Sequence, residues 1–286
     1  MPSLIDIRRR IRTVRNTQQI TKAMKMVSAA KLRRAQDRVI NARPYAAILN
    51  QMLADVALAA RADLALAGHP MLAERPEKRI QLVLITADRG LAGGFNSNLI
   101  KASQRFIEER PDASVDLELL GRKGRDFWRK RPATIVGEST GISQKFTYAD
   151  AAAIARKAAQ RFSSGEVDGV YLLYNEFKSV IAQKLTLARV LPIELPTQAK
   201  DIEFLYEQPP LELLETLLPR YVEIAFYRAM LESAAAEQAA RMTAMDAATS
   251  NAADVIDRLT LYMNRVRQAS ITKEIIEVVS GAAALE

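Results

Sequence analysis

No glycine interrupts the chain between Val170 and Ser280. At average usage of roughly 7%, those 111 residues should contain about eight. The last proline is Pro219, so nothing downstream of it breaks a helix until Gly281. The C-terminal stretch can therefore form one helix of about 61 residues, roughly 90 Å at 1.5 Å per residue. The N-terminal stretch behaves alike: neither glycine nor proline occurs between Pro2 and Pro44. Ten of the eleven glycines lie between Gly68 and Gly169. Two long terminal helices bracketing a glycine-bearing middle predict a shaft carrying a compact domain.

Hydrophobic spacing supports paired helices. Leu4, Ile7, Ile11 and Val14 repeat every three or four residues, the spacing of a coiled-coil seam. Gln18 and Thr21 are polar, and Ile20, Met24 and Val27 resume the pattern on a shifted phase, which predicts a break in register. Pro44 predicts a kink or restart before an alanine-rich helix from Tyr45 to about Ala67. In the last helix Ile256, Leu259, Met263 and Val266 form the matching seam, and alanines upstream permit close helix approach. If Pro44 lies near Tyr221, antiparallel partners add to about 265, and residues beyond about Met263 overhang. That overhang carries Val266, Ile271, Ile275, Ile276, Val278, Val279 and Leu285. A lone helix with apolar residues on several faces is unstable in water, which predicts insertion into a partner.

The middle alternates strand and helix signals. Ile80–Thr86, Val115–Leu120, Ala133–Gly137, Gly169–Asn175 and Val180–Leu191 read as strands, the last two as a hairpin. Asn98–Arg110, Arg122–Lys130 and Tyr148–Phe162 read as helices. This predicts an α/β domain with a mostly parallel sheet. Residues 1–67 form the first helical domain, 68–208 the α/β domain and 209–286 the second helical domain.

Charge and composition narrow the function. Residues 1–43 hold twelve Lys and Arg against Asp6 and Asp37, while the rest of the chain carries 29 basic and 31 acidic residues. The net charge of +8 therefore resides on the first helix, which suits nucleic acid, anionic lipid, an acidic protein surface or plain solvation. With no cysteine and only His69, thiolate chemistry, disulfides and multi-histidine metal sites are excluded. No run of apolar residues is long enough to span a bilayer, and Met1 leads into a charged helix without a signal-peptide pattern. The glycine-rich Thr86–Asn96, TADRGLAGGFN, sits where phosphate loops sit, yet lacks both GxGxxG spacing and a Gly-Lys-Ser/Thr. A tight strand-to-helix turn accounts for it. Two alternatives remain from the residues: a nucleotide-binding α/β protein with helical arms, and a basic coiled coil that binds nucleic acid.

Three blocks carry a resemblance: Ile11–Ala35, Thr86–Asn96, and Arg241–Asn251 with Ser270–Leu285 (RMTAMDAATSN and SITKEIIEVVSGAAAL). They resemble the gamma subunit family of F-type ATP synthases, over essentially the whole chain. Members often have cysteine where Ala92 stands, and no chloroplast-type insertion or transit peptide is present, which favours a bacterial protein. The resemblance implies an antiparallel coiled coil of the terminal helices with an inserted α/β (Rossmann-like) domain. It implies a central rotor stalk that couples rotation of a c-ring to conformational change at beta-subunit catalytic sites, driven by protons. The chain itself would hold no catalytic residue, cofactor or metal. Its partners would be three alpha and three beta subunits, the epsilon subunit and the c-ring, without nucleic acid and without membrane insertion, at the cytoplasmic face of the bacterial inner membrane. The implied alpha/beta-ring contacts are Met24, Lys25, Arg241, Arg267, Gln268, Ile275, Ile276 and Val279. The implied c-ring contacts are Tyr206 and Glu207.

Overall fold

The computed structural model describes residues 3–60, 69–141, 146–195 and 207–283. Two helices dominate. Helix α1 spans Leu4–Ala59 and continues through Pro44, so the expected restart does not occur. The C-terminal helix, α5, spans Pro210–Ala283, 74 residues, and contains Pro219; it starts upstream of the expected point. Between them lie β1 (Arg79–Ile85), α2 (Phe95–Glu108), β2 (Ser114–Leu120), α3 (Arg122–Trp128), β3 (Thr134–Ser139), α4 (Tyr148–Ser163), β4 (Gly169–Phe177) and β5 (Gln183–Leu191). By contact density the chain divides into two units, one of residues 1–28 with 242–286, the other Ala29–Arg241. Each long helix contributes to both.

The first unit is an antiparallel helix pair. Ile7, Ile11 and Ile256 form its buried cluster, flanked by Val14, Leu259, Met263 and Val266. The predicted shift of register is absent. Ile20 and Val27 are 60% and 55% exposed, whereas Thr21 and Ser28 are 8% and 2% exposed. The seam thus runs Ile7, Ile11, Val14, Gln18, Thr21, Ser28 on one unbroken heptad phase. Polar residues keep their places because they pair across it. The Thr21 and Thr249 hydroxyls lie 2.8 Å apart, and Gln18 Nε2 donates to the Thr249 carbonyl at 3.5 Å. Thr21 facing Thr249, and Lys25 facing Asp246, give partners that add to about 270 rather than the expected 265. The overhang consequently begins after Val266, not at Met263.

The second unit is the α/β domain with the adjoining helix segments. Its sheet has the order β3-β2-β1-β4-β5. β1 pairs in parallel with β2 and β4, β2 in parallel with β3, and β5 closes the sheet as an antiparallel hairpin partner of β4. Each predicted strand is present within a few residues of its expected bounds. β1 is buried after its first residue, as a central parallel strand covered on both faces must be. Helix α4 is tied down by a capping box, Thr147 with Asp150, and buries Ala151, Ala152, Ala155, Ala158, Ala159 and Phe162.

The turn after β2 admits only glycine. Gly121 has φ +99°, and a Cβ there would sit 2.1 Å from the Thr86 carbonyl oxygen. Gly121→Ala is expected to destabilise the chain by about 2–4 kcal/mol, since strain and clash act together. Urea unfolding followed by circular dichroism measures it, and a loss below about 0.5 kcal/mol would contradict this account.

Candidate functional site: a helix clasped across the sheet

An open α/β sheet binds ligands outside the carboxyl ends of its strands, where the strand order reverses. Here the reversal lies between β1 and β4, whose crossovers leave toward opposite edges. Helix α5 occupies that place. Glu232, fully buried, accepts a hydrogen bond from the Phe177 amide at the end of β4 (3.1 Å), and Arg43 of α1 approaches its other oxygen at 3.4 Å. One and a half turns on, Glu237 pairs with Arg241 at 2.8 Å, both within 7% exposure. The Arg241 guanidinium donates to the carbonyls of Arg89 (3.4 Å) and Gly90 (3.3 Å), in the loop after β1. Near the start of the helix, buried Glu223 accepts from the Tyr148 hydroxyl and from Arg156 (2.6 Å), both on α4. Burial opposes the charge on Glu223, but these partners outweigh it and hold the carboxyl below its ordinary value.

Small side chains bring the helix close enough for these contacts. Ala229, Ala235, Ala236 and Ala239 are 0–1% exposed on α5. Between Glu237, Ser233, Thr86 and Gly121 a cavity of about 20 Å³ remains, space for one water molecule. The glycine-rich loop is bonded to the chain itself. Thr86 Oγ1 accepts from the Gly124 amide (2.9 Å), Asn96 Oδ1 from the Ala87 amide (2.9 Å) and Asp88 Oδ1 from the Arg122 and Gly141 amides (3.0 Å each). A phosphate loop instead aims its amides at a ligand. These bonds tie TADRGLAGGFN, the turn from β1 to α2, to the start of α3 and to Gly141.

The sequence-predicted contact residues are distributed as follows. Met24 is half-buried, and Lys25 pairs with Asp246 at 2.6 Å on the surface of the helix pair. Arg267, Gln268, Ile275, Ile276 and Val279 lie on a stretch of α5 in which every residue from Arg267 to Ser280 is exposed. Ile275, Ile276 and Val279 are 57%, 58% and 61% exposed. Glu207 is exposed, and Tyr206 lies outside the described residues. Arg241 differs from the others: its guanidinium is turned inward and committed to Glu237 and the β1 loop rather than presented to a partner. Sequence reading missed Glu223, Glu232 and Glu237. They are three of the seven glutamates of α5, and nothing in the sequence sets them apart, since exposed glutamates are the usual case.

This arrangement defines a class of protein: a mechanical element, in which a long helix is clasped to an α/β domain over the crevice where related folds bind ligands. Among the described residues, no group of His, Asp and Glu could hold a metal ion, and no helix is long and apolar enough to cross a membrane. A family model described as ATP synthase matches residues 3–285. The ATP synthase gamma chain of Solibacter usitatus is 65% identical over the full length of both chains, and that of Anaeromyxobacter sp. strain Fw109-5 is 53% identical, also over both full lengths. Among solved structures, a chain from the central stalk and c-ring of the Tetrahymena thermophila mitochondrial ATP synthase superposes with a TM-score of 0.62. It is 28% identical, and the match covers 80% of this chain and 99% of that one. A chain of the Euglena gracilis mitochondrial ATP synthase has a TM-score of 0.67 at 18% identity, covering 99% and 94%, a likeness of fold alone. The chain belongs to the ATP synthase gamma chain family. It is a non-catalytic subunit of that enzyme.

The Glu237–Arg241 pair makes a pH prediction. Burial pushes the Glu237 carboxyl up, with Arg241 opposing it. A carboxyl raised in the folded state binds more protons folded than unfolded, so stability falls as pH rises from the ordinary carboxyl value through the raised one. Arg241→Met removes the opposing cation and raises Glu237 further. At neutral pH the variant is expected to lose about 3–5 kcal/mol and to recover part of that loss on acidification toward about pH 5. Pairing it with Glu237→Leu removes both charges and should restore most of the stability. Urea melts across that range check this; a loss independent of pH and unrescued by Glu237→Leu would contradict it.

Proposed function

We propose that this chain is the central rotor stalk subunit of a proton-translocating ATP synthase. It couples c-ring rotation to conformational change at the catalytic sites of the beta subunits, and works as a peripheral subunit at the cytoplasmic face of the bacterial inner membrane. Its partners are the alpha and beta subunits, the epsilon subunit and the c-ring. The observation that carries this reading is a property of α5. One continuous helix, Pro210–Ala283, supplies both the exposed apolar end and the buried carboxylates that clasp the α/β domain. Torque applied to either end must pass along it. Packing of Leu218, Val222, Phe226 and Met230 among the alanines resists sliding, and polar contacts add direction to it. Hydrogen-bonded carboxylates at Glu223 and Glu232, and Arg241 reaching the loop after β1, fix its rotation and register.

The exposed end calls for a sleeve. Ile271, Ile275, Ile276, Val278 and Val279 are 49–72% exposed, and burying each such side chain is worth roughly 1.5–3 kcal/mol. An apolar sleeve formed by the alpha and beta subunits would supply that burial, with Arg267 and Gln268 at its mouth. The first helix keeps Arg8, Arg9, Arg10, Arg12, Arg15 and Lys22 exposed beside Met24 and Lys25, a cationic face suited to acidic loops of the same ring. The basic helix is not free throughout: Arg38 donates to the Phe146 carbonyl at 2.8 Å and Arg43 approaches Glu232, so these two cations serve the fold. Tyr206 and Glu207 form the c-ring contact in this reading.

Co-expression with the cognate alpha and beta subunits tests the sleeve. Ile275→Ser with Ile276→Ser should lower the yield of the assembled ATPase at least roughly tenfold, about 1.4 kcal/mol, while the melting temperature of the isolated chain stays unchanged. Equal yield, or protease cleavage of the helix end inside the assembled complex, would sink the idea. At the other contact, Glu207→Lys should reduce ATP-driven proton pumping in membrane vesicles more than it reduces hydrolysis by the detached soluble part. Proportional loss of both would argue against a c-ring contact there.

A further inference from the structure

Beyond the clasp, the α/β unit contains a second feature that the mechanical role does not use. A cleft of about 340 Å³ opens where α1, α5 and the start of α4 meet. Its lining includes three tyrosines, Tyr45, Tyr148 and Tyr227, with Ile224 between them and two arginines, Arg220 and Arg228, at its polar side. That volume lies within the range of small-molecule sites, about 300–1,000 Å³, and an aromatic lining with a few charged groups is their usual chemistry.

The polar groups are unequally engaged. Tyr148 gives its hydroxyl hydrogen to Glu223 and receives a contact from Arg220 at 3.4 Å. Arg220 also lies 3.8 Å from Glu223, and Arg156 holds the other oxygen of that carboxylate. Glu223 is thus neutralised by its own partners and does not repel an anion from the cleft. Among the described residues, Arg228 makes no hydrogen bond or ion pair, and neither does the hydroxyl of Tyr45 or Tyr227. Tyr227 is held edge-on by Tyr148 (5.6 Å, 84°) and Phe146 (6.0 Å, 74°), so its ring is fixed before any ligand arrives. Arg228 interacts electrostatically with Glu176, but that carboxylate is hydrogen-bonded to Lys178, so the guanidinium fork, beside rigid aromatic faces, is left to one ligand chemistry. A flat apolar ring fits the tyrosines and Ile224, and a carboxylate fits the bidentate fork of an arginine.

We propose that this cleft is a binding site for a small planar aromatic carboxylate, its ring against the tyrosines and its carboxylate on Arg228. The site joins α1 to α5 through Tyr45 and Arg228, so an occupant tightens the contact between the two long helices inside this unit. It is independent of the rotor reading, because it concerns the isolated chain and needs no other subunit.

Titration of the full chain with 1-naphthoate, followed by calorimetry, tests it, with 1-naphthylmethylamine as the cation of similar shape. Saturable binding of the acid in the micromolar range is expected, at least roughly tenfold tighter than the amine. Arg228→Gln should weaken the acid by about tenfold and erase its preference over the amine, while Tyr45→Ala should weaken both probes. Both side chains are exposed, so the circular dichroism melts of the variants should match the parent chain. Equal binding of acid and amine by the parent chain, or undiminished acid binding by Arg228→Gln, would overturn the proposal.

Discussion

The structure depends on how one helix is held against one sheet. Helix α5 crosses the carboxyl ends of β1 and β4 on a face of alanines interspersed with larger buried side chains such as Val222, Phe226 and Met230. Three buried carboxylates, Glu223, Glu232 and Glu237, lie among them. Glu223 is bound by α4 and Glu232 by the end of β4 and by α1, while Glu237 forms an ion pair with Arg241 of the same helix, which reaches the loop after β1. Buried charges of this kind are weak sources of net stability, because desolvation offsets most of the Coulomb gain. Their contribution is directional. They allow one rotation and one register of the helix, which is what a transmitter of torque requires.

The same contacts fill the switch point of the α/β domain. The crevice between β1 and β4 is where a phosphate or ribose would lie, and side chains of α5 lie there instead. In the glycine-rich loop, Asn96 and Asp88 accept hydrogen bonds from amides of the chain itself. The chain belongs to a family whose gamma chain is a non-catalytic subunit.

The helix pair follows a different rule. Its seam is apolar at Ile7, Ile11 and Ile256 but polar at Gln18, Thr21 and Thr249. Apolar residues at every seam position would tolerate slippage by a whole heptad; a threonine pair and a glutamine-to-carbonyl bond tolerate one alignment. The alignment then decides which residues of α5 remain without a helix partner, and these are the residues after Val266.

Much of this was written in the chain. The two long helices follow from the absence of glycine, and the strands of the sheet follow from short β-branched and leucine-rich runs between turn residues, because both signals are local. The exposed apolar end was legible as well, since counting residues on two antiparallel helices requires no structure. Three things were not legible. The register of the helix pair differs by about five residues from the estimate, and the apparent phase shift at Ile20 does not exist, because hydrophobicity alone cannot report that Thr21 has Thr249 opposite it. Arg241 reads as one more cation of a basic protein, yet the fold turns it inward. Glu223, Glu232 and Glu237 read as solvated glutamates, yet they are the clasps. For Thr21, Glu223, Glu232 and the Arg241 contact to the β1 loop the deciding partner lies tens to hundreds of residues away, and burial and pairing are set by that partner rather than by neighbours in sequence. The sequence by itself determined which elements form; only the tertiary structure decided which polar groups are buried between them, because a buried charge is tolerable solely where the fold supplies its counterpart.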